Sequence, residues 1–413
     1  MLNTDTEIKT EKSNFQKYTV YKDSGVEWVG EIPEHWELKR FKHIFKEKKA
    51  SSNLDLNCGS ISFGKVVFKD DEKVTESTKR SYQVLNKGEF LINPLNLNYD
   101  LISLRIALSD KDVVVSSGYI IVQDIIELSK DYYKWLLHVF DVAFMKTLGA
   151  GVRQTLNFNL IANTEFVFPP LEEQTAIAQF LKDKTNKIDA AIAIKEQQIN
   201  LLKERKQILI YKAVTQGLNP NVKMKDSGVE WIGEIPEHWE VKSLKFICYL
   251  QSGEFISSDD FKEEGYPVYG GNGFRAFAKT YTNEGFYALI GRQGALCGNV
   301  NYAKGKFYAT EHAVVVYPLN GEDTLWLGET IKVADFNRLS QSAAQPGIAV
   351  GVIKNERFPY PPLSEQKEIA AYIEAASQKI ETAIGLKQQE IEKLKEYKGS
   401  LINEVVTGKV KII

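Results

Sequence analysis

One sixteen-residue phrase occurs twice in this chain, and no other feature constrains the fold as much. KDSGVEWVGEIPEHWE runs from Lys22 to Glu37, and KDSGVEWIGEIPEHWE from Lys225 to Glu240. Fifteen of the sixteen positions are identical, the one change being Val29 against Ile232. A second pair follows: PPLEEQTAIAQFL begins at Pro169 and PPLSEQKEIAAYI at Pro361. The first pair is offset by 203 residues and the second by 192, so the segments between them, 38–168 and 241–360, differ in length by 11. A long internal repeat dictates architecture. The order is phrase, variable segment, helix, and then the same again.

Two matched apolar stripes predict the helices. The first holds Ile177, Leu181, Ile188, Ile192, Ile199, Leu202 and Leu209; the second holds Ile369, Ile373, Ile380, Ile384, Ile391, Leu394 and Leu401. Both runs step by 4, 7, 4, 7, 3 and 7, which keeps one helix face apolar. Each spans about four heptads, the length at which a coiled coil becomes credible. The proline pairs mark the starts, and Gly217 and Gly408 lie near the ends. Such helices either dock on their own domains or satisfy each other; two long stripes of matched spacing favour the second.

The variable segments differ in kind. Short β-type runs appear as VVF, FLI, VVV and YIIVQ in the first, and as YALIG, KFYAT and AVVVYPL in the second. Gly and Asn punctuate them, so each reads as an α+β globule. The scaffold parts are alike while the globules diverge, which is the pattern of similar frames serving different targets.

Composition bounds the class. A chain of 413 residues suggests two to three domains, and 43% hydrophobic with 26% charged content is ordinary for a globular protein. No apolar run reaches the roughly 18 to 20 residues of a membrane helix. The polar start MLNTDTEIKTEKSNFQKYT lacks the apolar core of a signal peptide and reads as a mobile tail. Three scattered cysteines, Cys58, Cys248 and Cys297, suit neither a disulfide frame nor a zinc site and fit a reducing cytoplasm. A net charge of −2 argues against a uniformly basic coat, yet clustered charge is what matters. Residues 38–168 hold 18 Lys/Arg against 15 Asp/Glu, and the run KRFKHIFKEKK, Lys39 to Lys49, supplies more than that excess. This run reads as a solvated helix face or as a basic contact.

Catalytic motifs are missing. NPLN at Asn93 to Asn96 lacks the second proline and the aromatic of an amino-methyltransferase motif. GNVNYAKGK does not have the spacing of a phosphate loop. No GxSxG, HExxH or paired His/Cys motif occurs. His312 beside Glu311 is more often a structural or binding contact than a base.

Several loops carry side chains suited to nucleic acid. Arg matches guanine edges and Asn or Gln adenine edges by two-point hydrogen bonding. In the first globule the candidates are Lys79, Arg80 and Tyr82 in TKRSYQ, Asn96 in NPLNLNYD, Arg105 in SLR, Ser116, Ser117 and Tyr119 in SSGY, and Arg153 and Gln154 in GVRQ. In the second they are Tyr269, Asn272 and Arg275 in YGGNGFR, Arg292 and Gln293 in GRQG, Glu311 and His312 in TEH, and Gln345 in QSAAQPG. Loops of this composition are also ordinary turns, and Arg105 or Arg292 equally suits a buried structural pair.

These residues together resemble the specificity (S) subunits of type I restriction-modification systems. The resemblance covers almost the whole chain after the tail. It rests on the paired SGVEWxGEIPEHW phrases, the paired PPLxEQ helix starts, and the globule motifs SSGY, GVRQTLNF, YPVYGGNGF, LIGRQGALCGN and EHAVVV. It implies an α+β fold: two globular target-recognition domains separated by two long antiparallel coiled-coil helices, with a pseudo-twofold internal repeat. The implied division is 1–20 tail, 21–168 first target-recognition domain, 169–217 first scaffold helix, 218–360 second target-recognition domain and 361–413 second scaffold helix. It further implies a non-catalytic adaptor that binds a bipartite site in double-stranded DNA, one half per globule. Its partners would be two modification (methyltransferase) subunits and the restriction/motor subunits, in the cytoplasm and away from membranes. No cofactor is expected on this chain; S-adenosylmethionine, ATP and magnesium belong on the partner subunits.

The 33 residues from Ile177 to Leu209 make roughly 50 Å of helix at about 1.5 Å each, a ruler longer than one DNA turn. Equivalent halves also require the chain end to lie near Lys22. Two other readings remain: a coiled-coil scaffold whose globules bind protein or glycan, and an enzyme with an unrecognised site. Steep salt dependence of binding separates the first reading from the second. Trp28, Trp36, Trp231 and Trp239 either pack the scaffold or meet a partner, and their large apolar area favours packing.

Overall fold

The computed structural model describes residues 16–95, 104–145, 156–294, 297–339 and 347–412. It divides into two compact units, Met1–Ile194 with Glu390–Ile413, and Lys195–Gln389. The long helices run from Leu171 to Gln216 and from Leu363 to Val406, each starting directly after its proline pair. Gly217 and Gly408 follow their ends with φ of +73° and +77°, a conformation that glycine adopts without a Cβ penalty. Every position of both stripes is buried or half-buried.

In the first unit, the phrase folds as a small hairpin, Tyr21–Asp23 against Glu31–Pro33. Its turn is fixed locally: the Gly25 N–H donates to Asp23 Oδ1, the Val26 N–H to Ser24 Oγ, and the Gly30 N–H to the Val26 carbonyl. The second unit repeats each bond with Asp226, Ser227, Gly228, Val229 and Gly233. The one substituted position, Val29 or Ile232, is core in both units.

The hairpin ends in a buried tryptophan that binds the start of one long helix. Trp36 Nε1 donates to Glu173 Oε2 at 3.0 Å, and His35 Nε2 lies 2.5 Å from Glu173 Oε1. Trp239 Nε1 donates to Glu365 Oε2 at 2.9 Å, with His238 Nε2 2.6 Å from Glu365 Oε1. Trp36 also meets the end of the other helix: a Cβ on Gly408 would lie 2.5 Å from Pro33 and 2.9 Å from Trp36. Trp239 packs likewise at 3.1 Å from a Cβ on Gly217. Within each unit, therefore, the beginning of one helix is held beside the end of the other, which makes the pair antiparallel. Ion pairs agree with that direction, Lys398 with Asp189 in the first unit and Lys206 with Glu381 in the second. In the first unit, Lys409 Nζ donates to the Val29 carbonyl at 2.8 Å, so the chain end reaches the phrase as equivalence demands.

The neighbouring glutamines carry the frame into the globules. Gln174 accepts from the Ser129 N–H and donates to the Pro169 carbonyl. Gln366 accepts from the Asp323 N–H and donates to the Pro361 carbonyl. Ser129 and Asp323 are the N-caps of the helices Lys130–Phe140 and Thr324–Val333. Trp28 packs edge-on against Phe166, and Trp231 edge-on against the equivalent Phe358. The tryptophans are thus scaffold.

Every β-type run named above falls on a strand, with YIIVQ, KFYAT and AVVVYPL each overrunning theirs by one residue. In the first unit, Phe45–Glu47, Ile120–Asp124, Phe90–Ile92 and Ile106–Leu108 form an antiparallel sheet in that order. In the second, Cys248–Ser252, Ala313–Pro318, Asn283–Gly291 and Val300–Ala309 form the same antiparallel order, extended by Tyr266–Gly270 and Gly273–Ala278. Globules that share little sequence share their central sheet.

Two expectations need correction. The basic run is not a helix face: Glu37–Arg40 is a strand, Phe41–Ile44 one helical turn, and Phe45–Glu47 a strand. Phe41, Ile44 and Phe45 are core; Lys48 pairs with Glu89 and Lys39 lies over the Phe168 ring, while Arg40, Lys46 and Lys49 are exposed. The expected tail lies outside the described residues up to 15, but from Gln16 the chain packs: the Tyr18 hydroxyl donates to Glu173 Oε2 at 2.6 Å.

Burial alone would raise the Glu173 carboxyl, but hydrogen bonds from Tyr18, His35 and Trp36 outweigh it and hold its pKa below the ordinary value. A depressed carboxylate contributes stability above its unfolded pKa of about 4.3, and that contribution is lost as pH falls through the folded value. Glu173→Gln is expected to cost about 1–3 kcal/mol at neutral pH. The difference from wild type should shrink below about pH 4. Thermal unfolding across that range checks this; equal melting temperatures at neutral pH would refute the clamp.

Candidate nucleic-acid interface

In the second unit three of the loops singled out above converge. The hairpin turn at Gly271 and Asn272 sits against the Gly291–Arg292 loop and the Thr310–His312 turn. The Arg292 N–H donates to the His312 carbonyl at 3.1 Å, and the Thr310 N–H to the Tyr269 carbonyl at 2.9 Å. A Cβ on Gly291 would lie 2.1 Å from the Gly271 carbonyl oxygen, and one on Gly271 would lie 2.9 Å from that of His312. The glycines are there because backbone packs on backbone, a contact that any side chain would prevent. Gly347 joins the group through a bridge to Gln293.

Polar side chains crown this junction. Arg292 Nη1 donates to Ser252 Oγ at 3.0 Å, while its buried Nε has no partner. His312 Nε2 lies 3.2 Å from Glu311 Oε1, and Glu311 Oε2 is also buried and unpartnered. Asn272, Arg275 and Gln293 are exposed. Tyr269 is half-buried, its ring edge-on to Phe307 and Phe274.

The first unit gathers a smaller group. Lys79 and Arg80 lie on the helical turn Glu76–Arg80, capped by Thr75, and Arg80 pairs with Glu76 at 2.7 Å. The Tyr82 N–H donates to the Lys79 carbonyl, and Gln83 Nε2 donates to the Tyr119 carbonyl at 2.6 Å. Gln83 thereby ties TKRSYQ to the turn of Ser116, Ser117 and Tyr119. Burial raises the pKa of the Tyr82 hydroxyl, with Cys58 and Tyr119 adding to it. Arg105 stands apart as a buried pair. It is 5% exposed, Nε donates to Asp141 Oδ1 at 3.1 Å, and its backbone N–H donates to the same carboxylate. Asn96, Arg153, Gln154 and Gln345 lie outside the described residues.

Sequence reasoning passed over Gln83 and Ser252, which position the loops. Gln83 ends a quoted motif, and its place as the first residue of the strand Gln83–Leu85 was the available signal. Ser252 precedes a glycine at the end of an edge strand and left no signal of its own.

Two equivalent frames, each carrying a globule with its own set of polar loops, define a two-part recognition protein. A family model described as the type I restriction modification DNA specificity domain matches residues 33–204 and 236–395. The chain belongs to this family, and the match covers both halves. The type I restriction enzyme EcoprrI specificity subunit of Escherichia coli is 41% identical over 138 residues, which is 32% of this chain and 34% of that protein. The MjaVIII specificity subunit of Methanocaldococcus jannaschii is 25% identical over 418 residues, covering 92% of this chain and 94% of that one. A chain from a structure of a type I R-M system superposes with a TM-score of 0.71 at 15% identity, covering 91% of this chain and 98% of that one. The HsdS subunit of Thermoanaerobacter tengcongensis gives 0.53 at 17% identity, covering 92% and 98%. These two likenesses are of fold.

Gly291→Ala is expected to cost about 1–3 kcal/mol, because neither backbone atom in the clash can rotate away. Gly351→Ala, with open space at its Cβ, is expected to be neutral. Calorimetric melting of the two variants checks the contrast; a neutral Gly291→Ala would contradict the close approach.

Proposed function

We propose that this chain is the DNA-reading specificity subunit of a type I restriction-modification complex, with each globule reading one half of a bipartite target. The observation that carries this reading is the pair of family matches, one on each copy of the shared sheet with its own crown of loops. Asn272, Gln293, Arg292 and the Glu311–His312 pair present base-edge chemistry in the second globule. Lys79, Arg80, Tyr82 and Ser117 do so in the first. Arg105 acts by holding its strand to Asp141 rather than by touching DNA.

The chain works as a non-catalytic adaptor. Two modification subunits bring S-adenosylmethionine chemistry and restriction subunits bring ATP and magnesium; none of these groups is assigned to a residue here. The scaffold helices dock the modification subunits and fix the half-site spacing. No described helix is long and apolar enough to cross a membrane, and the site of action is the cytoplasm with its DNA.

Mapping of methylated adenines across the genome, in cells carrying this chain with its modification subunit, tests the reading. One bipartite motif is expected, with one half changing when either globule is exchanged. A stable complex that leaves no motif would overturn it. Deleting one heptad from each helix, Lys195 to Leu201 and Lys387 to Lys393, removes about 10 Å of rise. The motif's spacer is then expected to shorten by about three base pairs. An unchanged spacer in a folded variant would refute the ruler.

A further inference from the structure

One side chain of the first globule is placed against both of the forces that normally position an aromatic residue. Strands Gly59–Ser62 and Lys65–Phe68 pair with Ser62 opposite Lys65, which leaves Phe63 and Gly64 as a two-residue turn. Their φ values are +46° and +70°. Two positive values define the type I′ turn, whose first position belongs to Asn, Asp or Gly. A bulky residue there is a backbone outlier. Phe63 is also 74% exposed, one of the two most exposed large hydrophobic side chains among the described residues. Asn at this place would relieve the backbone and the solvation penalty together, yet the chain carries Phe. Strain of this kind is kept where a function uses it.

The surroundings say what the ring meets. A Cβ on Gly64 would touch the Leu104 side chain at 2.8 Å, so the tip lies on the residue that precedes Arg105 in the SLR motif. The stretch from Asn57 to Lys69 contains Lys65 and Lys69 and no acidic residue. A lone ring on a narrow turn is too small for a protein interface, which needs about 800 Å² per partner. It has the size of an apolar wedge that enters a base step. Phe255, the other highly exposed ring at 76%, has no positive φ and follows exposed Glu254, so it carries no such inference.

We propose that Phe63 stacks into a base step of duplex DNA at the half-site read by the first globule. This rests on the DNA-reading function above. The test uses the full chain assembled with its modification subunit, and target duplexes carrying 2-aminopurine at successive positions of that half-site. Wild type is expected to raise the fluorescence at one step. Phe63→Asn should melt at the same temperature or higher, because Asn-Gly is the preferred turn. It should bind the target roughly tenfold more weakly and lose the fluorescence rise. Because no charge is removed, the slope of log affinity against log salt should not change. Phe63→Trp should restore both signals. A folded Phe63→Asn complex with wild-type affinity and fluorescence overturns the wedge. So does a variant that loses subunit assembly while keeping DNA affinity, which would make the ring a protein contact. A wild-type complex that cannot tell target from scrambled duplex would instead overturn the DNA reading, and the wedge with it.

Discussion

A half-buried carboxylate at the start of each long helix holds the frame of its unit together. Glu173 takes hydrogen bonds from Trp36, His35 and Tyr18 at once, and Glu365 takes those of Trp239 and His238. Charge-assisted bonds to one acceptor group are stronger than neutral ones, and several on one carboxylate fix its rotamer. Each tryptophan also packs on the glycine that ends the other helix. One side chain thus couples a hairpin, a helix start and a helix end. The phrase is written twice because each unit needs the same three-way joint. Asp23, Ser24, Trp28, Ile32, His35 and Trp36 each make a contact there that a different residue would lose.

The adjacent glutamine explains how a constant frame tolerates changing globules. Gln174 and Gln366 grip backbone groups, and the caps they hold are Ser129 in one globule and Asp323 in the other. Backbone contacts make no demand on side-chain identity. The central sheets obey the same logic, since ladder hydrogen bonds are made by any sequence of suitable β propensity. What differs is what the sheets carry: two extra strands with a glycine junction in the second globule, and a short capped helix with a glutamine tie in the first.

The repeat, the helix limits and the strand runs were legible in the sequence because each is governed by a local pattern. Apolar spacing, proline pairs and β-branched triplets such as Val113–Val115 act over a few residues. The basic run from Lys39 misled because charge content carries no record of strand pairing: Glu37–Arg40 ladders with Glu165–Phe168, far along the chain. Arg105 was recognisable as suited to a buried pair, but its partner was not, since Asp141 is 36 residues away. The loops of the second globule could be singled out by composition, but their convergence could not be read, because the approach of Gly271 to Gly291 is a tertiary contact that spacing does not encode.

A net charge of −2 does not conflict with a nucleic-acid role once the basic residues are placed. Some pair with acids of the same chain, Lys48 with Glu89 and Arg105 with Asp141 in the interior, Lys398 with Asp189 and Lys206 with Glu381 at the surface. Lysines so engaged neutralise acids rather than phosphates, so bulk charge understates nothing and promises little. Under the proposed DNA-reading function, recognition leans on directional groups rather than on bulk charge. Arg292, Glu311 and His312 are such groups, and the close approach of Gly271 to Gly291 and to the His312 carbonyl fixes the backbone that carries them.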